Sequence, residues 1–130
     1  MFEYIDFNAF LLTQLCSHNL KLCTVDFDLS HNLLTGTLPE SIYNMTLKKF
    51  KCSNNNLRGT ISSNIKNLVD LTVLSIDNNL FSGTIPEDFS MLENVEKIKL
   101  EYNDFTGALF DRMGNKSYLG KIPFSPLTLN

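Results

Sequence analysis

Asparagine recurs at Asn32, Asn55, Asn79 and Asn103, and a glycine follows four residues after each, at Gly36, Gly59, Gly83 and Gly107. The asparagines are 23, 24 and 24 residues apart. Two independent marker residues that keep one period through four cycles leave few folds open. The chain is a solenoid, in which each repeat is one turn and buries its apolar face only against its neighbours. Residues 71–94 hold the fullest unit, with the pattern LxxLxIxxNxFxGxIPxxFxxL.

The chemistry of one turn follows from that pattern. Side chains alternate along a strand, so Leu74 and Ile76 point inward while Val73, Ser75 and Asp77 point outward. Asn79 sits where the chain leaves the strand. A carboxamide there donates and accepts, and stacking turns Asn32, Asn55, Asn79 and Asn103 into a polar ladder inside the core. Losing one rung is expected to cost ~1–3 kcal/mol, because buried backbone groups lose their partners. Asn78, next in sequence but facing solvent, is expected to matter far less. The glycine permits a tight or positive-φ backbone, the proline helps to end the local strand, and the FxxL spacing returns the chain as a short helical or 3₁₀ segment.

Leu29-Ser-His-Asn32-Leu-Leu34-Thr-Gly36-Thr-Leu38-Pro39 and Ile76-Asp-Asn-Asn79-Leu-Phe81-Ser-Gly83-Thr-Ile85-Pro86 resemble the plant-type leucine-rich repeat of surface receptors and polygalacturonase-inhibiting proteins. The resemblance covers residues 24–118. It implies an α/β solenoid with a parallel β-sheet on the concave face, in about five to six turns of 23–24 residues. It also implies a non-catalytic recognition module located outside the cell or at its surface. Such repeats carry many unrelated ligands, so the motif specifies fold more than function. The paired-cysteine caps that often flank the array in this family are not found. Their absence points to a cytoplasmic relative or to a piece of a longer protein.

The whole chain, 1–130, reads as one domain. Residues 1–23 form a degenerate first repeat with Phe10 in the asparagine slot; an alternative register places Asn8 on the ladder but points Glu3 into the core. Four clear repeats occupy 24–118, with Cys52 in a leucine slot and Ser62 and Phe110 in proline slots. Residues 119–130 form a C-terminal capping strand or tail, in which Pro123 and Pro126 suit an edge.

Bulk properties exclude several function classes. A formal charge of −3 argues against nucleic-acid binding, which leaves a basic footprint. No apolar run approaches the ~20 residues of a membrane span. The amino terminus, with Glu3 and Asp6, lacks the basic start of a signal peptide. Cys16 and Cys23 are either paired or reduced. The imidazoles are His18 and His31; Asp26, Asp28 and His31 share a repeat but read as a solvated face. No nucleophile elbow, phosphate loop or metal-ligand spacing is present, so neither an enzyme, nor a metal site, nor a cofactor is expected.

The outward rows of the main sheet carry the functional expectation. One reads Asp6, Asp28, Lys51, Ser75 and Lys99; the row beside it reads Tyr4, Asp26, Lys49, Val73 and Lys97. Tyr102 closes the row nearest the ladder. Lys49, Lys51, Val73, Ser75, Lys97, Lys99 and Tyr102 are the candidate ligand-binding residues. They suit an acidic peptide or protein, or an anionic saccharide. The competing readings are plain solvated surface, a structural subunit wedged into a larger assembly, and, more distantly, an ice-binding row of Thr37, Thr60 and Thr84 that Ala108 interrupts. Asn44-Met-Thr46 and Asn115-Lys-Ser117 are glycosylation sequons. Each asparagine lies 12 residues beyond a ladder asparagine, so both fall on the return segment.

Overall fold

A computed structural model of the chain describes residues 25–106. The repeats expected over 1–23 and 119–130, the Cys16–Cys23 pair and Asn115 lie outside them. Within them, three turns repeat one sequence of elements, a strand, a second strand and a 3₁₀ return, and the fourth repeats the two strands. The first strands are β1 (Val25–Asp28), β3 (Leu47–Lys51), β5 (Val73–Ser75) and β7 (Lys97–Lys99). The second strands are β2 (Thr35–Thr37), β4 (Asn56–Gly59), β6 (Leu80–Thr84) and β8 (Asp104–Thr106). They form two four-stranded parallel sheets, ordered β1-β3-β5-β7 and β2-β4-β6-β8.

The main sheet is built from equivalent positions. Phe27 pairs with Phe50, Phe50 with Leu74, and Leu74 with Ile98. Phe50, Leu74 and Ile98 are buried, and the rings of Phe27 and Phe50 stack at 6.1 Å. A second column holds Leu29, Cys52, Ile76 and Leu100. A third, under the second sheet, holds Leu34, Leu57, Phe81 and Phe105, with Phe81 and Phe105 nearly parallel at 6.3 Å. Cys52 fills its leucine slot with no exposed surface, and burial pushes its thiol pKa well up.

The second sheet was not read from the sequence. Its strands are short and carry glycine, which weakens a strand pattern. The glycines have φ of 86° at Gly36, 91° at Gly59 and 79° at Gly83. Pairing there is sheared: Gly36 lies opposite Leu57 and Gly59 opposite Phe81, not glycine opposite glycine. A Cβ on Gly59 would meet Thr37 Cγ2 at 2.8 Å, and one on Gly83 would meet Thr60 Cγ2 at 2.9 Å. The Gly-Thr pairs therefore interlock, each glycine receiving the threonine methyl of the preceding turn.

The return segments, Glu40–Asn44, Ser63–Asn67 and Glu87–Met91, are 3₁₀ helices; none of the described turns returns through an α-helix. Pro39 and Pro86 stand at their N-caps, where a fixed φ suits the start of the turn and no N–H is missed. Ser62 replaces proline in the third repeat and uses the difference. Its Oγ caps Asn64 N at 3.1 Å, and its N–H donates to the hydroxyl of buried Tyr43 at 3.2 Å. Burial of that hydroxyl raises the Tyr43 pKa, with the Ser62 bond opposing. No helix among the described residues is long and apolar enough to cross a membrane.

Candidate ligand-binding face

The polar ladder shapes the edge of this face. Asn55 donates to Leu29 O of the preceding turn and to Cys52 O and Ser53 O of its own, while its Oδ1 accepts from Leu34 N. Asn79 repeats the set with Cys52, Ile76, Asp77 and Leu57. Asn103 repeats it with Ile76, Leu100, Glu101 and Phe81. Asn32 donates to Leu29 O and Ser30 O of its own turn and is exposed.

To aim each carboxamide inward, the chain adopts a left-handed conformation one residue earlier. φ is 58° at His31, 58° at Asn54, 55° at Asn78 and 58° at Tyr102. Sequence reasoning missed this, although asparagine at two of the four positions was the available signal, since it tolerates that region best. Tyr102 is the costly member: a bulky residue at positive φ, and 67% exposed.

Strand pairing sets the outward residues in two rows. Asp26, Lys49, Val73 and Lys97 form one; Asp28, Lys51, Ser75 and Lys99 form the other. Charge is uneven along them. Lys49 Nζ lies 3.7 Å from Asp26 Oδ2, with both side chains solvated. Asp28 accepts from Ser30 N at 3.0 Å, and this bond, a second from the Ser30 side chain and the nearby Lys51 charge hold its carboxyl below the usual carboxylate range. Lys97 and Lys99 have no acidic partner within salt-bridge distance among the described residues.

Two residues differ from the exposed surface expected of them. Ser75 is only 6% exposed and Asp77 only 7%. Ser75 belongs to an outward row and Asp77 follows two residues later, but the central strands of a closely stacked sheet shield short side chains. Asp77 is also tied down, accepting from Ser53 Oγ at 2.5 Å and from Asn78 Nδ2 at 2.9 Å. Its counterpart in the next turn, Glu101, holds a shielded Oε2 for which no donor is found among the described residues. Among the described residues, the open corner of the face is thus exposed Lys97 and Tyr102 with half-buried Lys99 between them, flanked by half-buried Val73. Asn44 is exposed at the end of its 3₁₀ segment, in the return part of the turn.

Comparison with known proteins places this geometry. The Leucine Rich Repeat family model matches residues 24–45, 46–68 and 70–92, more than half of the chain. Receptor-like protein 39 of Arabidopsis thaliana is 34% identical over 96 residues, covering 70% of this chain and 11% of that protein. The chain thus spans about a tenth of that curated relative's length. The plant peptide hormone receptor RGFR1 in complex with RGF2 is similar at TM-score 0.61 and 38% identity, covering 65% of this chain and 14% of that one. The BIR3–SERK2 complex from Arabidopsis thaliana is similar at TM-score 0.62 and 35% identity, covering 68% and 49%. With its repeats, its asparagine ladder and its second sheet, the chain belongs to the leucine-rich repeat family, in the plant-type form.

Proposed function

We propose that the chain is a non-catalytic, receptor-like recognition module at the cell surface or outside the cell, whose main sheet binds an acidic peptide or a protein segment. The supporting observation is the open corner of Lys97, Lys99 and Tyr102, where two lysines without acidic partners among the described residues stand beside an exposed aromatic held at positive φ. Tyrosine is among the residues that dominate the energetics of interfaces, and the two ammonium groups add charge complementarity to an acidic partner. Similarity to a peptide hormone receptor and to a complex of two plant proteins favours the same reading.

Lys49 and Lys51 belong to the same face but contribute less, because Asp26 and Asp28 already lie beside them. Val73 and Ser75 form the floor between the two lysine pairs. The test is a binding screen of the chain against acidic and neutral peptides, with anionic oligosaccharides as a separate arm. Acidic peptides should bind, and Lys97→Glu with Lys99→Glu should abolish the signal while leaving the melting curve unchanged. Binding only by oligosaccharides would move the ligand class; peptide binding indifferent to the double change would move the site off this face.

A further inference from the structure

The return side carries a groove of about 350 Å³ between two turns, opened by Asn44 and Thr46 on one side and by Asn67, Val69 and Asp70 on the other. That volume is at the low end of the ~300–1,000 Å³ typical of small-ligand clefts. Asn44 ends the 3₁₀ segment and is exposed. Met45, next to it, is extended (φ −82°, ψ 154°) and buried. Asn44 is exposed and Thr46 half-exposed on either side of it, so an acceptor asparagine and its hydroxyl partner are both reachable.

The far wall is mixed. Val69 exposes 58% of its surface, a large apolar side chain with nothing among the described residues to cover it, while Asn67 and Asp70 are exposed polar groups. A pyranose ring has the same two faces, one of C–H groups and a rim of hydroxyls. We propose that Asn44 is N-glycosylated and that the first N-acetylglucosamine seats in this groove, its C–H face on Val69 and its rim toward Asn67 and Asp70. In the attachment, Asn44 Nδ2 forms a bond to C1 of an oligosaccharide carried on a polyprenyl pyrophosphate. The C1–O bond breaks, the pyrophosphate leaves with the electron pair, and an amide proton passes to a base. No group is oxidised or reduced. Asn67, at the same place in the next turn, is followed by Leu68 and Val69 and is not an acceptor. The sugar lies on the return side of the turn, clear of the lysine rows. The inference rests on the cell-surface reading above, since only secreted chains meet the sugar donor.

The test uses the full chain secreted from a eukaryotic host. Enzymatic release of N-glycans, which converts the linked asparagine to aspartate, followed by peptide mass mapping should mark Asn44 and spare Asn67. Asn44→Gln and Thr46→Ala should lose the mark, and Thr46→Ser should keep it. In an Asn115→Gln background, protein trimmed to one sugar should melt higher than sugar-free protein, and Val69→Ser should erase that gap. A secreted, folded chain with unmodified Asn44 overturns the proposal, and an equal gap in Val69→Ser overturns the seating. Peptide binding measured on sugar-free protein is independent of both results.

Discussion

The carboxamide of Asn79 donates to Cys52 O in the preceding turn and to Ile76 O and Asp77 O in its own, while its oxygen takes the Leu57 N–H. Asn79→Ala leaves these buried backbone groups unpaired, and a loss of ~1–3 kcal/mol is the minimum expected for such a site. The neighbouring Asn78 is exposed, yet its φ of 55° gives its side chain a conformational role too. Asn78→Ala should therefore cost about 1 kcal/mol from the left-handed backbone alone, whereas Asn78→Gly should be close to neutral. Urea unfolding of the three variants checks the order. The same logic reverses at Tyr102, also left-handed. Tyr102→Gly should raise stability by roughly 1 kcal/mol through relieved strain, and should weaken peptide binding. A thermal melt and a titration on one sample read both effects; a destabilised Tyr102→Gly would show that the ring packs more than it strains.

At the level of the elements, the second sheet depends on the interlock of glycine with threonine. Gly59→Ala meets two obstacles, a φ of 91° and a methyl 2.8 Å away on Thr37. Shortening Thr37 to serine removes only the second, so the Gly59→Ala, Thr37→Ser pair should recover part of the loss in a double-mutant cycle and leave ~1–2 kcal/mol that belongs to the backbone. Ser62→Pro is the complementary case, because it would restore the repeat pattern. Its φ of −72° suits proline, worth about 0.4–1 kcal/mol. Against that stand a lost cap on Asn64, about 0.5–2 kcal/mol, and the lost donor to buried Tyr43, about 1–3 kcal/mol. Net destabilisation is expected, measured as a lower urea midpoint. These elements also mark where sequence reading stops. The columns of Phe50, Leu74 and Ile98 were legible because their period is the repeat itself. The second sheet was hidden by glycines that look like strand breakers until Thr37 and Thr60 are seen against them. The left-handed residues were hidden by Tyr102, a bulky residue that rarely accepts that conformation.

For the whole molecule, the sum of charge is acidic while the proposed binding face is not, and the order of its strands decides how the two combine. Asp26 and Asp28 on β1 adjoin Lys49 and Lys51 on β3, then come Val73 and Ser75, then Lys97 and Lys99 on β7. The rows themselves were legible in the sequence, since the repeat fixes register. The Lys49–Asp26 approach and the shielding of Ser75 and Asp77 were not, because they depend on side-chain reach across neighbouring strands. Adjacent strands are ~4.8 Å apart, so the acidic pair acts on Lys49 and Lys51 from within a Debye length of ~8 Å at physiological salt. From β1 to β7 is three spacings, roughly 14 Å, where exposed charges are largely screened. An acidic peptide should therefore lose more affinity from Lys97→Glu with Lys99→Glu than from Lys49→Glu with Lys51→Glu, and affinity should fall as salt rises. Asp26→Asn with Asp28→Asn should strengthen binding at low salt and have little effect at high salt. Isothermal titration at two ionic strengths separates these cases. Equal losses from the two lysine pairs would mean that β1 does not mask β3, and that the ligand lies across the full width of the sheet.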